Sequence, residues 1–277
     1  MIFLKLQNEN YRNMAPVSTL SFKCALITGG GGGIGRGMAE ALIALGKSVI
    51  IAGRTEANLK KTATEIGAKG YVVFDVSNIS AVSDFIKDIT SKYPELDCVI
   101  NNAGVQRPFQ ILGPDYGFDL NHADQEIDTN IRGPMHLCVG LVPHFNSLPN
   151  GGVIMNVSSV LGYNPFNIVN PVYNGTKAWV HFFTMNLRSQ LRQAGSKIKV
   201  VEIVPPTVET DLHRERKDPN DNKKAHGNSI ALSVSEFMEQ IQAGWEKDLD
   251  TCSAGLGKEL VEKWYGAYGE AYAKAEG

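Results

Sequence analysis

Apolar positions along the chain follow two alternating patterns. Short runs in which almost every residue is apolar occupy 23–28, 48–52, 70–75, 96–101, 153–157 and 199–204. They have the length of strands and show no polar face. Between them, residues 34–45, 58–66, 81–92, 125–141 and 172–194 space their apolar positions as helices do. A strand that is apolar on both sides must be covered on both sides. The alternation therefore predicts an α/β fold: a doubly wound, Rossmann-like parallel sheet of about seven strands in a single domain. Such sheets hold ligands beyond the carboxyl ends of their strands, where the strand order reverses.

The pattern changes after Thr210. Residues 211–229 are polar, charged and weakly periodic, and read as a mobile loop. Residues 234–248 look helical, with Ser233 or Ser235 as N-cap. Residues 251–254 suit a short last strand, and 258–275 suit a terminal helix rich in Tyr and Ala. The expected division is an N-terminal extension (1–20), poorly ordered or packed on the surface, and one domain (21–277). Within it 211–250 form a substrate lid and 251–277 a C-terminal cap.

Composition narrows the function. The 277 residues are 43% hydrophobic and 20% charged, ordinary for a soluble domain. The 27 basic and 29 acidic residues leave a net charge of -2, which argues against nucleic acid or an anionic membrane as partner. No apolar run approaches a membrane span. Met1 to Leu6 is interrupted by Lys5 and does not resemble a secretion signal, and Met14 could be an alternative start. The expected location is cytoplasmic. Cys24, Cys98, Cys138 and Cys252 form no CxxC pair and read as small hydrophobes. His122, His136, His144, His181, His213 and His226 lack metal-ligand spacing, so no metal is expected. His213 and His226, in the lid, could reach a substrate or stay solvated.

The chemistry gathers at strand ends. Thr28-Gly29-Gly30-Gly31-Gly32-Gly33-Ile34-Gly35 joins the first strand to the first helix. Glycines there allow a tight turn, and the helix N-terminus offers free N–H groups to a pyrophosphate. The bland alternative is a flexible loop with no ligand. The second strand ends Ala52-Gly53-Arg54. An acidic side chain at that point binds ribose hydroxyls; here an arginine follows instead, suited to a 2′-phosphate, so NADP(H) is favoured over NAD(H). A surface arginine is the alternative. Asp75-Val76 closes the third strand, its carboxylate available to the adenine amino group, and Asn102-Ala103-Gly104 lets the chain pass close to a cofactor. Asn101 reads as a structural tie between loops.

Tyr173 and Lys177 lie on one helix face. A tyrosine ordinarily titrates near ~10, and a neighbouring positive charge favours the phenolate. Such pairs are common, but this one follows a strand ending in Val157-Ser158-Ser159, where a hydroxyl can meet a substrate oxygen.

Taken in order, Thr28-Gly29-x3-Gly33-Ile34-Gly35, Asp75-Val76, Asn101-Asn102-Ala103-Gly104, Asn130, Ser158-Ser159 and Tyr173-x3-Lys177 resemble the short-chain dehydrogenase/reductase family over roughly residues 22–210. The resemblance implies Tyr173 as proton donor and Ser159 as hydrogen-bond donor to the substrate oxygen. It implies Lys177 as holder of the nicotinamide ribose and depressor of the Tyr173 pKa, and Asn130 as holder of a relay water. It implies hydride transfer between NADP(H) and a small-molecule carbonyl or alcohol, and a homodimer or homotetramer. The two long helices would supply the contact through Ile131, Leu137, Leu141, Trp179, Phe182 and Phe183. A non-redox enzyme of the family (isomerase or dehydratase) and a non-catalytic NADP(H) sensor are the alternatives.

Two departures stand out. Pro205-Pro206 replaces the usual Pro-Gly after the sixth strand, stiffening a loop that borders nicotinamide, with Val208 and Thr210 still in place. Together with the Thr-Asp-Leu that follows, this is similar to the DltE-like branch. One extra residue also separates Ser159 from Tyr173. Phe109, Ile111, Tyr116, Phe118, Tyr163 and Phe166 are expected to make the substrate pocket apolar.

Overall fold

The computed structural model describes residues 16–112 and 117–276. Tyr116 and the first fifteen residues, with Met14, lie outside the described residues.

Seven parallel strands form one sheet in the order β3-β2-β1-β4-β5-β6-β7. They are β1 (Cys24–Thr28), β2 (Ser48–Gly53), β3 (Gly70–Val73), β4 (Cys98–Asn101), β5 (Val153–Val157), β6 (Lys199–Val204) and β7 (Thr251–Ser253). The chain winds outward from β1 to β3, then returns to place β4 on the other side of β1. That reversal is the switch point, and it opens a crevice at the carboxyl edge.

Successive residues of a strand point to opposite faces, so each strand feeds two cores. Ala25 and Ile27 enter one, with Met38 and Leu42 of α1 (Gly33–Ala44), Leu59 of α2 (Glu56–Ile66) and Phe237, Ile241 and Trp245 of α7 (Val234–Glu246). Cys24 and Leu26 enter the other, with Phe85 and Ile89 of α3 (Val82–Lys92), Leu137, Leu141 and Phe145 of α5 (Gly133–Ser147) and Leu187 and Leu191 of α6 (Pro171–Gln193). All four cysteines are buried and free.

Several boundaries differ from the sequence expectation. The helix expected over 125–141 is two helices, α4 (Leu120–Ile127) and α5, joined by a π turn at Asp128–Arg132 that contains Asn130. An extra residue in a helical turn leaves no trace in apolar spacing, and such turns gather at functional sites. Ser233 is the N-cap of α7, completed as a capping box by Glu236. Residues 16–20 do not form a loose extension: Thr19 is wholly buried, and its N–H and hydroxyl both donate to Asp248 at 2.7 Å. The polar stretch after Thr210 is fastened. Buried Asn222 donates to the carbonyls of Val208 and Thr210 at 3.0 and 2.9 Å, and Glu209 N–H donates to Leu232 O. Polar side chains hold it, which apolar periodicity does not register. A final helix, α8 (Leu256–Glu276), follows β7.

The apolar residues assigned to a subunit contact divide. Leu137 and Leu141 are core; Phe182 is half exposed on α6, as is Val139 on α5. Trp179 stacks on Phe183, 4.6 Å between ring centroids. Among the described residues no helix is long and apolar enough to cross a membrane, and no cluster of His, Cys, Asp or Glu could hold a metal ion.

Candidate active site

A cleft of about 860 Å³ runs along the carboxyl edge of the sheet. One end is built from backbone. Gly29 and Gly33 have positive φ (66° and 52°), the left-handed region that a side chain disfavours. A Cβ on Gly35 would lie 2.3 Å from Gly29 O, so only glycine lets α1 start this close to the loop. Gly32 caps α1 without a side-chain hydrogen bond, and no acidic residue occupies the first turn. The positive end of the helix and its N–H groups thus face the cleft unmasked, as a pyrophosphate requires. Ile34, Gly53, Arg54, Asp75, Val76, Asn102, Ala103, Gly104, Pro205, Val208 and Thr210 also line the cleft. Arg54 is exposed on its rim and forms no ion pair with the described residues. This end fits a dinucleotide.

Three of the expected contacts have local duties as well. Thr28 is buried behind the cleft wall, not on it, and its Oγ1 accepts from the N–H groups of Asn102 and Ala103 at 3.0 and 3.1 Å. Asn102 Nδ2 returns a bond to Thr28 O at 2.9 Å. Thr28 therefore shapes the loop and does not present itself to a ligand. Asp75 Oδ1 accepts from the N–H and hydroxyl of Ser77 (2.9 and 2.8 Å), which fixes the carboxylate at the strand end. Thr210 Oγ1 accepts from Leu212 N–H at 3.3 Å and starts the turn into the segment that follows. Asn101 is the structural tie expected, donating to Asn156 Oδ1 at 2.8 Å.

At the other end the cleft is built from side chains. Ser159 follows β5, while Tyr173 and Lys177 project from the first turns of α6; all three are buried and line the cleft. Ser159 stands with Tyr173 on the cleft wall, and its hydroxyl accepts from Leu161 N–H at 3.2 Å. Lys177 Nζ donates to Val157 O at 2.7 Å and stands 5.5 Å from the Tyr173 ring centroid. Burial pushes the Tyr173 phenol above its ordinary value; the neighbouring Ser159 hydroxyl and Arg216 oppose this, and the Glu126 carboxylate adds to it. The depression expected from Lys177 is not seen here, because the ammonium is aimed at a carbonyl and desolvation dominates. Burial also lowers Lys177 to about 8, with Glu126 opposing.

Asn130 joins the group from the π turn. Its carboxamide is bonded at both atoms: Oδ1 accepts from Val105 N–H (3.0 Å), and Nδ2 donates to Val105 O (2.9 Å) and Thr176 Oγ1 (3.1 Å). It fastens the loop after β4 to α6.

The expected aromatic wall is largely elsewhere. Among the described residues of that set only Phe166 lines the cleft, beside Leu161, Ile168 and Leu212. Phe109 and Phe118 pack on each other, and Ile111 is exposed to solvent. Tyr163 turns away: its hydroxyl donates to Glu202 Oε2 at 2.9 Å and its ring meets His181. Of the two histidines after Thr210, His213 lines the cleft and is hydrogen-bonded to Asp221, whereas His226 is exposed.

Three charged residues around the site escaped the sequence reading. Glu202 is wholly buried in β6 and also takes a proton donor from Ser158 (2.5 Å) and lies 3.0 Å from His181 Nδ1. A carboxylate inside the apolar run 199–204 was a usable signal, since a buried charge demands partners. Arg216, in the segment after Thr210, donates to Gln106 Oε1 (2.9 Å) and Asp221 (2.6 Å) and lines the cleft. Glu126 is buried in α4, and nothing in the spacing of that helix marks it.

Comparison with known proteins agrees with this geometry. A family model of short chain dehydrogenases matches residues 23–221. An uncharacterized oxidoreductase, DltE of Bacillus subtilis, is 36% identical over 232 residues, covering 83% of this chain and 89% of that protein. A 3-ketoacyl-(acyl-carrier-protein) reductase from Brucella melitensis, solved with NADH, superposes with a TM-score of 0.69 at 30% identity, covering 84% of this chain and 95% of that one. The closed form of a serine dehydrogenase complexed with NADP+ gives a TM-score of 0.72 at 26% identity, covering 83% of this chain and 93% of that one.

Proposed function

This chain belongs to the short-chain dehydrogenase/reductase family, and from that premise we propose that it is an NADP(H)-dependent oxidoreductase interconverting a ketone or aldehyde and its alcohol. The observation that carries the reading is the meeting of Ser159, Tyr173 and Lys177 on one wall of a cleft whose far end is the glycine loop and Arg54.

The glycine loop and α1 N-terminus would hold the pyrophosphate, Asp75 and Val76 the adenine, and Arg54 the 2′-phosphate. Lys177 would hold the nicotinamide ribose, with Pro205, Val208 and Thr210 beside the carboxamide. When bound, the nicotinamide supplies or accepts the hydride. Ser159 donates a hydrogen bond to the substrate oxygen and stabilises its developing charge. Tyr173 gives its phenolic proton to that oxygen in reduction and takes it back in oxidation. The raised proton affinity of the buried phenol keeps the proton in place at neutral pH until the alkoxide forms. Asn130, tied to Val105 and Thr176, keeps the loop after β4 against α6 and would orient a relay water at the Lys177 end. The segment 211–250 acts as lid, with Arg216 and His213 facing substrate. Pairing through the exposed faces of α5 and α6 would give a dimer or tetramer, and light scattering showing only a 30.2 kDa species would oppose it.

The test is NADPH oxidation followed by absorbance with a panel of ketones, aldehydes and quinones. Turnover is expected in the wild type and a loss of about 10²- to 10⁴-fold in Tyr173→Phe. Tight NADPH binding with no turnover in either protein would move the reading to a non-redox enzyme or a sensor. Arg54→Ala is expected to weaken NADPH about tenfold and to leave NADH unchanged, the effect of one charge-assisted bond. Equal losses for both cofactors would remove the phosphate role.

A further inference from the structure

Lys177 is a buried cation whose hydrogen-bond partner in the protein is a neutral carbonyl, Val157 O. Holding an ammonium there needs a compensating negative charge. The side chain that meets this need is Glu126 of α4, the helix that packs against α6. Glu126 is only 1% exposed, and its Oε1 meets no hydrogen-bond donor among the described residues. The Arg107 backbone and guanidinium both favour its charged form.

We propose that Glu126 is a positioning residue of the Tyr173–Lys177 pair: the buried countercharge that keeps Lys177 an ammonium and so sets the upper pH limit of cofactor binding. The proposal rests on the reading that Lys177 holds the cofactor.

The surroundings of Glu126 favour this assignment. From the loop after β4, Arg107 faces it, but that guanidinium is already paired with Glu215 of the lid at 2.8 Å. From α4 itself come Asp119 and His122, which line a cavity of about 190 Å³ together with Glu126, Arg107 and Glu215. From α6 come Tyr173 and Lys177. Arg107, shared with Glu215, is the stronger of the two cations acting on Glu126 and Lys177 the second; for Lys177, Glu126 is the carboxylate that opposes the effect of burial. Burial pushes Glu126 up to about 7, with Arg107 and Lys177 opposing. It is therefore neutral at the acid end of the working range and ionised at the alkaline end. Support for Lys177 appears as pH rises, where the lysine needs it to remain charged.

The experiment is a fluorescence titration of NADPH binding between pH 6 and 9.5 for the wild type, Glu126→Gln and Glu126→Asp. Glutamine keeps the size of the side chain and an acceptor oxygen and removes the charge. At pH 6, where Glu126 is mostly protonated, wild type and Glu126→Gln should agree within about twofold. The alkaline loss of affinity should begin about one pH unit lower in Glu126→Gln, the shift expected from removing a nearby opposite charge. Aspartate should restore much of it. Coincident profiles for wild type and Glu126→Gln overturn the proposal.

A second arm does not depend on NADPH. The infrared band of the protonated buried carboxyl, assigned by its absence in Glu126→Leu, should persist to higher pH in Lys177→Met, because the carboxylate has lost its cation. An unchanged titration overturns the proposal. If NADPH fails to bind at every pH, the cofactor reading falls and this arm alone judges the coupling of Glu126 to Lys177.

Discussion

The two flanks of helix α6 each carry a buried carboxylate, and they have opposite fates. On the β6 flank, Glu202 accepts from Ser158 at 2.5 Å and Tyr163 at 2.9 Å and faces His181 at 3.0 Å. Trp264 of α8 closes the group, edge-on to His181 at 4.7 Å. Burial alone would raise the Glu202 pKa, yet the bonds from His181, Ser158 and Tyr163 outweigh it and the carboxyl stays below its ordinary value. On the α4 flank, Glu126 has one oxygen with no donor, and burial prevails, taking it to about 7. Equal burial thus yields one permanent anion and one titratable group. The number of donors supplied decides which, since each donor to a carboxylate stabilises only the charged form. Glu202 fastens the Ser158–Ser159 strand end to α6; Glu126 leaves the other flank able to respond to pH.

The largest expected effect comes from breaking the fastened flank. Glu202→Ala leaves His181 and two hydroxyls without their acceptor and should cost about 3–5 kcal/mol, read as a fall in Tm. Tyr163→Phe removes one donor and keeps the ring, so a loss of about 1.5–3 kcal/mol is expected, the range for a hydrogen bond to a charged group. If Tyr163→Phe changed nothing, Glu202 would not depend on its donors in the way the contrast requires.

The two carboxylates should also give stability opposite slopes with pH. The folded pKa of Glu202 is depressed. Its contribution is present above the unfolded value near ~4.5 and is lost as pH falls through the folded value. The folded pKa of Glu126 is raised. Its contribution is full below the unfolded value near ~4.5 and is lost as pH rises through about 7. The Tm deficit of Glu202→Gln should therefore shrink on acidification, while Glu126→Gln should gain on the wild type between pH 5 and about 8. Parallel curves in the second case would mean that Glu126 is ionised throughout.

The smallest effect is expected for Glu126→Leu. Replacing an underpaired buried acid by an apolar side chain of similar size should stabilise by roughly 1 kcal/mol above pH 7. A large destabilisation would show instead that the carboxyl carries structural weight.

The layered α/β fold was legible because strand and helix periods are written into the order of apolar residues. The glycine loop was legible because turns of that kind tolerate few other residues. The tyrosine and lysine were legible because a helix places such neighbours on one face. Glu126, by contrast, sits in a stretch whose spacing looks like any surface helix. Tyr163 was assigned to the pocket by proximity in sequence to Ser159, and its rotamer sends it to the opposite side of the wall.

The sequence by itself determined the architecture, the dinucleotide-type strand end and the identity of the groups available for proton transfer, since these depend on local backbone preference and burial pattern. Only the tertiary structure decided how those groups are charged. Ionisation of a buried side chain depends on donors brought from β6, α4, α6 and the lid, residues far apart along the chain, and that sum exists only once the elements are packed.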